Sequence, residues 1–201
     1  GELINSFGDN GKTTLNKGFD RNTKELFISM TTPGIIFENL LILGSRVLDS
    51  SNQKTIPGNI RAFDVLTGDI IWTFNTIPRP GEFGYETWPK DSWKNEYLTV
   101  NSWGGFTLDE KNEIVFFGTG SPSYDHWGGN RVGDNLYGNC IIALEAGTGK
   151  KIWHYQTVHH DLWDYDIPCP PNLVQVNVNG KLIDAIAQPT KTGQLFVLDR
   201  F

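Results

Sequence analysis

The sequence predicts an all-β fold, a partial β-propeller of about three four-stranded antiparallel blades. Three observations carry this. A hairpin motif recurs, further strand-length apolar runs lie between its copies, and no stretch keeps an apolar period of three to four residues long enough for a long helix. Residues Ala62 to Phe74 (AFDVLTGDIIWTF) lie over Ala143 to Tyr155 (ALEAGTGKKIWHY) at a constant offset of 81. Each copy is a short strand, an acid, a Thr-Gly turn in which glycine can take positive φ, and a second strand ending in aromatics. Repeating strand units with apolar faces that one unit cannot bury make a propeller or a solenoid, and four strands per unit is the propeller count.

Taken in order, Gly1 to Phe7 reads as the tail of an earlier copy, and Leu40 to Gly44 (LLILG) as a strand leading to the first full motif. Ile114 to Gly118 (IVFFG) is a strand before the second motif, and Leu173 to Val178 and Leu182 to Ala187 are strands after it. Val197 to Phe201 reads as the head of a later copy. The chain, read as a single domain over 1–201 with repeat boundaries near Gly68 and Gly149, thus begins and ends inside the motif. An isolated arc of this kind would expose two sheet edges. Trp72 and Trp153, at the same place in the two copies, are expected to be buried between neighbouring blades. Two long, poorly periodic segments, Asn75 to Ser102 and Ser121 to Tyr137, connect repeat strands and are expected to reach toward one end, as pocket walls.

Composition bounds the function. Glycine at 22 residues, proline at 10 and aromatics at 12% suit a turn-rich all-β protein. Seventeen basic against 23 acidic residues give a net charge of −6 with no basic run, which argues against nucleic acid and anionic membranes as partners. No apolar run has transmembrane length and the first residues lack a signal-peptide pattern. Cys140 and Cys169 stand far apart without metal-site spacing and read as two separate buried thiols.

The densest chemistry is His159-His160-Asp161-Leu162-Trp163-Asp164-Tyr165-Asp166: three acids and two histidines among two aromatics. On extended backbone Asp164 and Asp166 would share a face. Paired carboxylates such as Asp161 and Asp164 could in principle serve glycoside hydrolysis.

These residues, with the Ala-x-Asp-x-x-Thr-Gly-x-x-x-Trp motif at Ala62 to Trp72, the phrase Thr76 to Gly84 (TIPRPGEFG), and Thr190 to Gly193 (TKTG) running into Phe196 to Arg200, resemble the pyrroloquinoline quinone (PQQ) dependent dehydrogenases. The resemblance covers essentially the whole chain and is nearest to the glucose dehydrogenase branch. It implies an eight-bladed propeller in which this chain supplies about three blades and the remaining blades are its partners. It also implies PQQ above a divalent cation, calcium first and a lanthanide or magnesium after it. A sugar or alcohol would be the substrate, a quinone or cytochrome the electron acceptor, and the periplasm, or its side of a membrane, the location. The 201 residues alone are expected to be inactive and empty of quinone, because the family's sites draw on blades around the ring.

Residue by residue, the resemblance makes Asp164 the base that takes the hydroxyl proton and a metal ligand. Lys191 becomes the cation at the quinone oxygens, and His160 is placed in the catalytic set, with a supporting role for His159, His160 and Asp161 equally open. Trp103 is the stacking platform; read without the resemblance it would be an ordinary buried propeller tryptophan. Asn101, Thr32, Ser45 and Arg46 fall where relatives meet the cofactor, an arginine suiting a tricarboxylate. Ser121 stands where the methanol-oxidising branch has an asparagine metal ligand, and a hydroxyl is a poorer ligand for calcium. Asp166 occupies a spacing associated in that branch with lanthanides. That branch's glutamate ligand has no counterpart around Gly44 to Leu48, where Asp49 is the nearest acid. The rival from another class is a non-catalytic PQQ-like propeller that serves as a binding scaffold; it would keep the Trp motif without the acid cluster, Trp103 and Lys191.

Overall fold

The structure, a computed structural model that describes residues 1–49 and 53–201, is built almost wholly from antiparallel β-sheet. A minor pair is formed by β1 (Ile28–Ser29) and β4 (Arg46–Val47). The first blade orders β2 (Ile35–Phe37), β3 (Leu40–Leu43), β5 (Ile60–Asp64) and β6 (Ile70–Phe74) side by side. The second contains β7 (Phe106–Asp109), β8 (Ile114–Gly118), β9 (Cys140–Glu145) and β10 (Lys151–Gln156). The third sheet has three strands, β11 (Asn172–Val178), β12 (Lys181–Pro189) and β13 (Leu195–Asp199). Two blades are therefore complete, and the expected third reaches three strands before the chain reaches Phe201. Gly1 to Phe7 is not a strand: it turns on itself, with Phe7 N–H on the Ile4 carbonyl, and forms no strand ladder, so Leu3 and Ile4 are exposed.

The middle blade explains why its strands read as continuous apolar runs. Period-two alternation sends Val115, Phe117, Ile142 and Leu144 toward the first blade, where they pack with Ile42, Ile60 and Trp72. It sends Ile114, Phe116, Ile141 and Ala143 toward the third sheet, onto Ile186, Phe196 and Leu198.

The repeated motif is what docks one blade on the next. Trp72 donates its indole N–H to the Ala146 carbonyl at 3.1 Å, and Trp153 donates to Arg200 at 3.0 Å. Ala146 and Arg200 each follow the motif acid, Glu145 and Asp199, so the same bond is made at the same place in successive copies. Gly149 closes this contact: its φ is +70°, and a Cβ there would lie 2.4 Å from the Trp72 ring. Trp72 is accordingly buried, whereas Trp153, expected to be buried too, is half-buried. Among the described residues no turn equivalent to the one at Gly149 lies over it. Both cysteines are free; Cys140 is buried, with its thiol pushed up by burial, but Cys169 is only half-buried, on a loop beside Gln188.

Antiparallel pairing sorts the connections into two ends. Segments 38–39, 65–69, 110–113, 146–150 and 179–180 turn tightly at one end. The described parts of segment 44–59, with segments 75–105, 119–139, 157–171 and 190–194, lie at the other. Both long irregular segments therefore lie at one end, as expected.

Candidate active site

The candidate site residues sit at that loop end. Ser45 and Arg46 are on segment 44–59, Asn101 and Trp103 on 75–105, Ser121 on 119–139, His160, Asp164 and Asp166 on 157–171, and Lys191 on 190–194. Thr32 precedes β2 on the same side, its Cγ2 3.6 Å from where a Cβ on Gly105 would stand.

The centre is a lysine between two carboxylates. Lys191 Nζ donates to Asp164 Oδ2 at 3.0 Å, to the Asp164 carbonyl at 3.0 Å and to Asp166 Oδ2 at 3.2 Å. Asp166 is held further by the Ser121 backbone N–H at 2.6 Å and by the Trp103 indole N–H at 3.3 Å. The two aspartates are not, as expected, on one face of an extended strand. The 157–171 segment is irregular and Asp164 is left-handed at φ +59°, so it is the turn, not a pleat, that brings both carboxylates to Lys191. Asp164 keeps 37% of its side-chain surface exposed and Asp166 only 13%; the base candidate is thus the accessible one.

Asn101 completes this wall. It is 1% exposed, donates Nδ2 to the Ser45 carbonyl at 3.1 Å, and leaves Oδ1 without a partner. That bare oxygen and Asp166 Oδ1 both lie 2.9 Å from where a Cβ on Gly120 would stand, so glycine there keeps an amide oxygen and a carboxylate oxygen close together. Ser45 Oγ is likewise buried and unpartnered. Arg46 is exposed, over the Phe27 ring at 5.1 Å.

The acids of this end repel one another. Burial first, and then Asp164, raises Asp166, against the opposing pull of Ser121 N–H and Lys191. Asp49 is raised by burial and then by Asp166. Asp125 is pushed up to about 7 by burial, with Asp49, Asp164 and Asp166 adding to it. Burial works against the Lys191 ammonium, but its bonds and charge contacts with Asp164 and Asp166 outweigh that and its pKa is raised. Asp125 was missed in the sequence; it stands alone on an irregular segment, and only the fold puts it in the field of the others.

Two expected members occupy other places. The His160 ring donates Nδ1–H to the Gly133 carbonyl at 2.9 Å and faces Gly128, so it braces the 119–139 segment. The Ser121 hydroxyl is buried and donates to Asp161, with Asn139 Nδ2 donating to it at 3.2 Å; its part at the centre is through its backbone N–H. Among the described residues no three histidine, cysteine or acidic side chains close into a metal cage. Asp164, Asp166 and the bare Asn101 oxygen do form an all-oxygen donor set, the chemistry of a hard cation. Trp103, half-buried, offers a flat ring next to that set, and Ser45 and Arg46 offer a hydroxyl and a guanidinium, the groups a planar polycarboxylate needs.

Comparison with known proteins identifies the family. The family model described as PQQ, glucose/ethanol/alcohol dehydrogenase, beta-propeller domain, matches residues 1–201. The chain is 38% identical over 201 residues to a quinoprotein glucose dehydrogenase of Escherichia coli (strain K12), covering 100% of this chain and 25% of that protein. It is 39% identical over 202 residues to a quinate/shikimate dehydrogenase (quinone) of Acinetobacter baylyi, covering 100% of this chain and 24% of that one. Among solved structures, a europium-containing methanol dehydrogenase superposes with a TM-score of 0.73 at 25% identity, over 86% of this chain and 32% of the other. The chain spans about a quarter of the length of the curated relatives it matches.

Proposed function

Because the chain belongs to the PQQ family of glucose, ethanol and alcohol dehydrogenases with a β-propeller domain, we propose that the whole protein is a PQQ-dependent dehydrogenase that oxidises a hydroxyl of a sugar or simple alcohol. The observation that carries this reading is the meeting of Asp164, Asp166, Lys191 and Trp103, from three separate loops, beside the unpartnered Asn101 oxygen. A scaffold propeller needs the docking tryptophans and has no use for that centre.

In this reading Trp103 supplies the stacking face, and Arg46, Ser45 and Thr32 meet the rim of the cofactor. Asp164, Asp166 and Asn101 supply oxygens to a cation, calcium by preference. Bound PQQ would supply the two-electron acceptor that no side chain provides. Asp164, the more exposed carboxylate, takes the substrate hydroxyl proton at Oδ2. Lys191 holds that oxygen in place and keeps its positive charge where negative charge grows. Segments 75–105 and 119–139 supply the Trp103 indole and the Ser121 N–H that hold Asp166 beside Lys191. A periplasmic location and electron delivery to a quinone or cytochrome belong to the same proposal.

The test is reconstitution of the whole protein with PQQ and calcium, following reduction of an artificial acceptor with glucose and with simple alcohols. Reduction with at least one is expected. Replacing Asp164 by Asn should then lower kcat by about 10³-fold, within the usual range for a general base, while quinone absorption survives dialysis. No reduction with any substrate and no retained quinone would point to the scaffold instead. Turnover surviving in Asp164→Asn at saturating PQQ and metal would move the base to Asp166, the other carboxylate at Lys191.

A further inference from the structure

We propose that Asp161 is the positioning residue of this site: its carboxylate sets the turn that presents Asp164. The proposal rests on Asp164 being the base.

Asp161 is fully buried, yet no ligand could reach it, because its oxygens are already taken. Oδ1 accepts the Trp163 backbone N–H at 2.9 Å. Oδ2 accepts the Tyr165 backbone N–H at 2.7 Å, Asn139 Nδ2 at 2.9 Å, and the Ser121 hydroxyl. The two amides it holds are those on either side of Asp164. A left-handed conformation costs a non-glycine residue up to about 1–2 kcal/mol, less for aspartate, so bonds outside Asp164 select its φ of +59° over the ordinary alternatives. Two anchored amides, one before and one after, do that. They thereby fix where the Asp164 carbonyl and Oδ2 meet Lys191.

The anchor is itself anchored. Arg131, also fully buried, donates Nη2 to the Asp161 carbonyl at 2.5 Å and to that of Tyr124 at 3.2 Å, and Nη1 to Asn135 Oδ1 at 2.8 Å. Burial lowers its pKa to about 10, with Asp161 and Asp125 pulling the other way, so it remains a cation at neutral pH. A buried carboxylate is costly unless it is hydrogen-bonded and has a counter-charge nearby. Asp161 has both, and only an acceptor on each side of the group can serve donors from two directions. Asparagine, of the same shape, cannot: with its oxygen toward Tyr165, Asn139 and Ser121, its NH2 faces the Trp163 N–H.

The test uses the whole protein carrying Asp161→Asn. Amide hydrogen exchange, measured without PQQ, should quicken at least about tenfold at Trp163 and Tyr165 and stay unchanged at Ile142 in the blade core. With PQQ and calcium, kcat should fall about 10²-fold, the scale on which small misplacements act, while substrate KM and PQQ retention stay within about threefold. If Asp161→Asn does not fold, Arg131→Lys takes its place, with faster exchange at Trp163 and about a tenfold loss in kcat expected. Protected amides with kcat within threefold of wild type would overturn the proposal. So would equal losses in kcat, KM and PQQ retention, which mark a general packing role. Wild-type protein without PQQ-dependent turnover would defeat the functional reading alone, and the exchange data would still decide the role of Asp161.

Discussion

The two ends of the blades treat the same kinds of residue in opposite ways. At the turn end Asp64 takes the N–H groups of Leu66 and Thr67 at 2.7 and 2.8 Å, and these bonds hold its carboxyl below the usual range. Gly68 donates to Asp64 and Gly149 to Glu145, both at 2.8 Å: one solution used twice. At the loop end Asp49, Asp125 and Asp166 are all held above the usual range. Buried acceptors of Ser45, Asn101 and Asn139 are left open there. Where the polar groups of the turn are satisfied locally, as at Asp64 and Gly68, the motif can repeat, and repetition yields stability. Where valences stay open and like charges are pressed together, the arrangement is kept for what it can bind or move.

Substitutions should separate the ends cleanly. The largest stability effect is expected from Gly149→Ala, which combines a left-handed backbone with a Cβ 2.4 Å from the Trp72 ring. Strain and overpacking together should destabilise by about 3 kcal/mol, read as a fall in Tm, with kcat per folded molecule unchanged. A matching fall in kcat would show that the docking tryptophans shape the site and would break the division. Trp103→Ala should act at the other end: about a tenfold weaker hold on PQQ, with most of the rate restored at saturating cofactor and Tm nearly unmoved. Retention of PQQ as tight as in wild type would remove Trp103 as the platform.

How much of this was legible beforehand follows the same division. The turn end was readable because its physics is local and repeated. Ile114–Gly118 emerged with the expected limits, and the offset of 81 lined up the residues that carry the Trp72 and Trp153 bonds. At the loop end the identity of Asp164, Asp166, Trp103 and Lys191 was legible through a motif, but their geometry was not. Strand alternation placed the two aspartates together for the wrong reason, since a positive φ at Asp164 is set by Asp161. Arg131, Asn139 and Asp125 carried no local signal at all. Their roles come from contacts across 22 to 30 residues or from charge at a distance. His160 shows the converse: its place in a dense motif suggested chemistry, and its ring is spent on the Gly133 carbonyl.

The smallest expected effect is also the one that compares the ends most directly, through the sign of a pH dependence. An unfolded chain releases the Asp125 proton near 3.8, whereas the folded protein holds it to about 7. The folded state therefore binds more protons over that interval, and this contribution to stability, full below about pH 4, is lost as pH rises to 7. Asp64 has the opposite sign: its lowered pKa favours folding above the usual carboxylate range and is lost on acidification. In cation-free whole protein, Asp125→Asn should flatten the fall in Tm between pH 4 and 7 by a few degrees. Asp64→Asn should instead remove stability at neutral pH and leave the acid end unchanged. Calcium should flatten that fall less than Asp125→Asn does, because a cation among Asp164, Asp166 and Asn101 relieves the repulsion from Asp164 and Asp166 but not the burial that is the larger cause. If Asp125→Asn leaves the slope as it was, the burial of Asp125 does not set it; if calcium leaves or steepens it, the loop-end acids do not share one field.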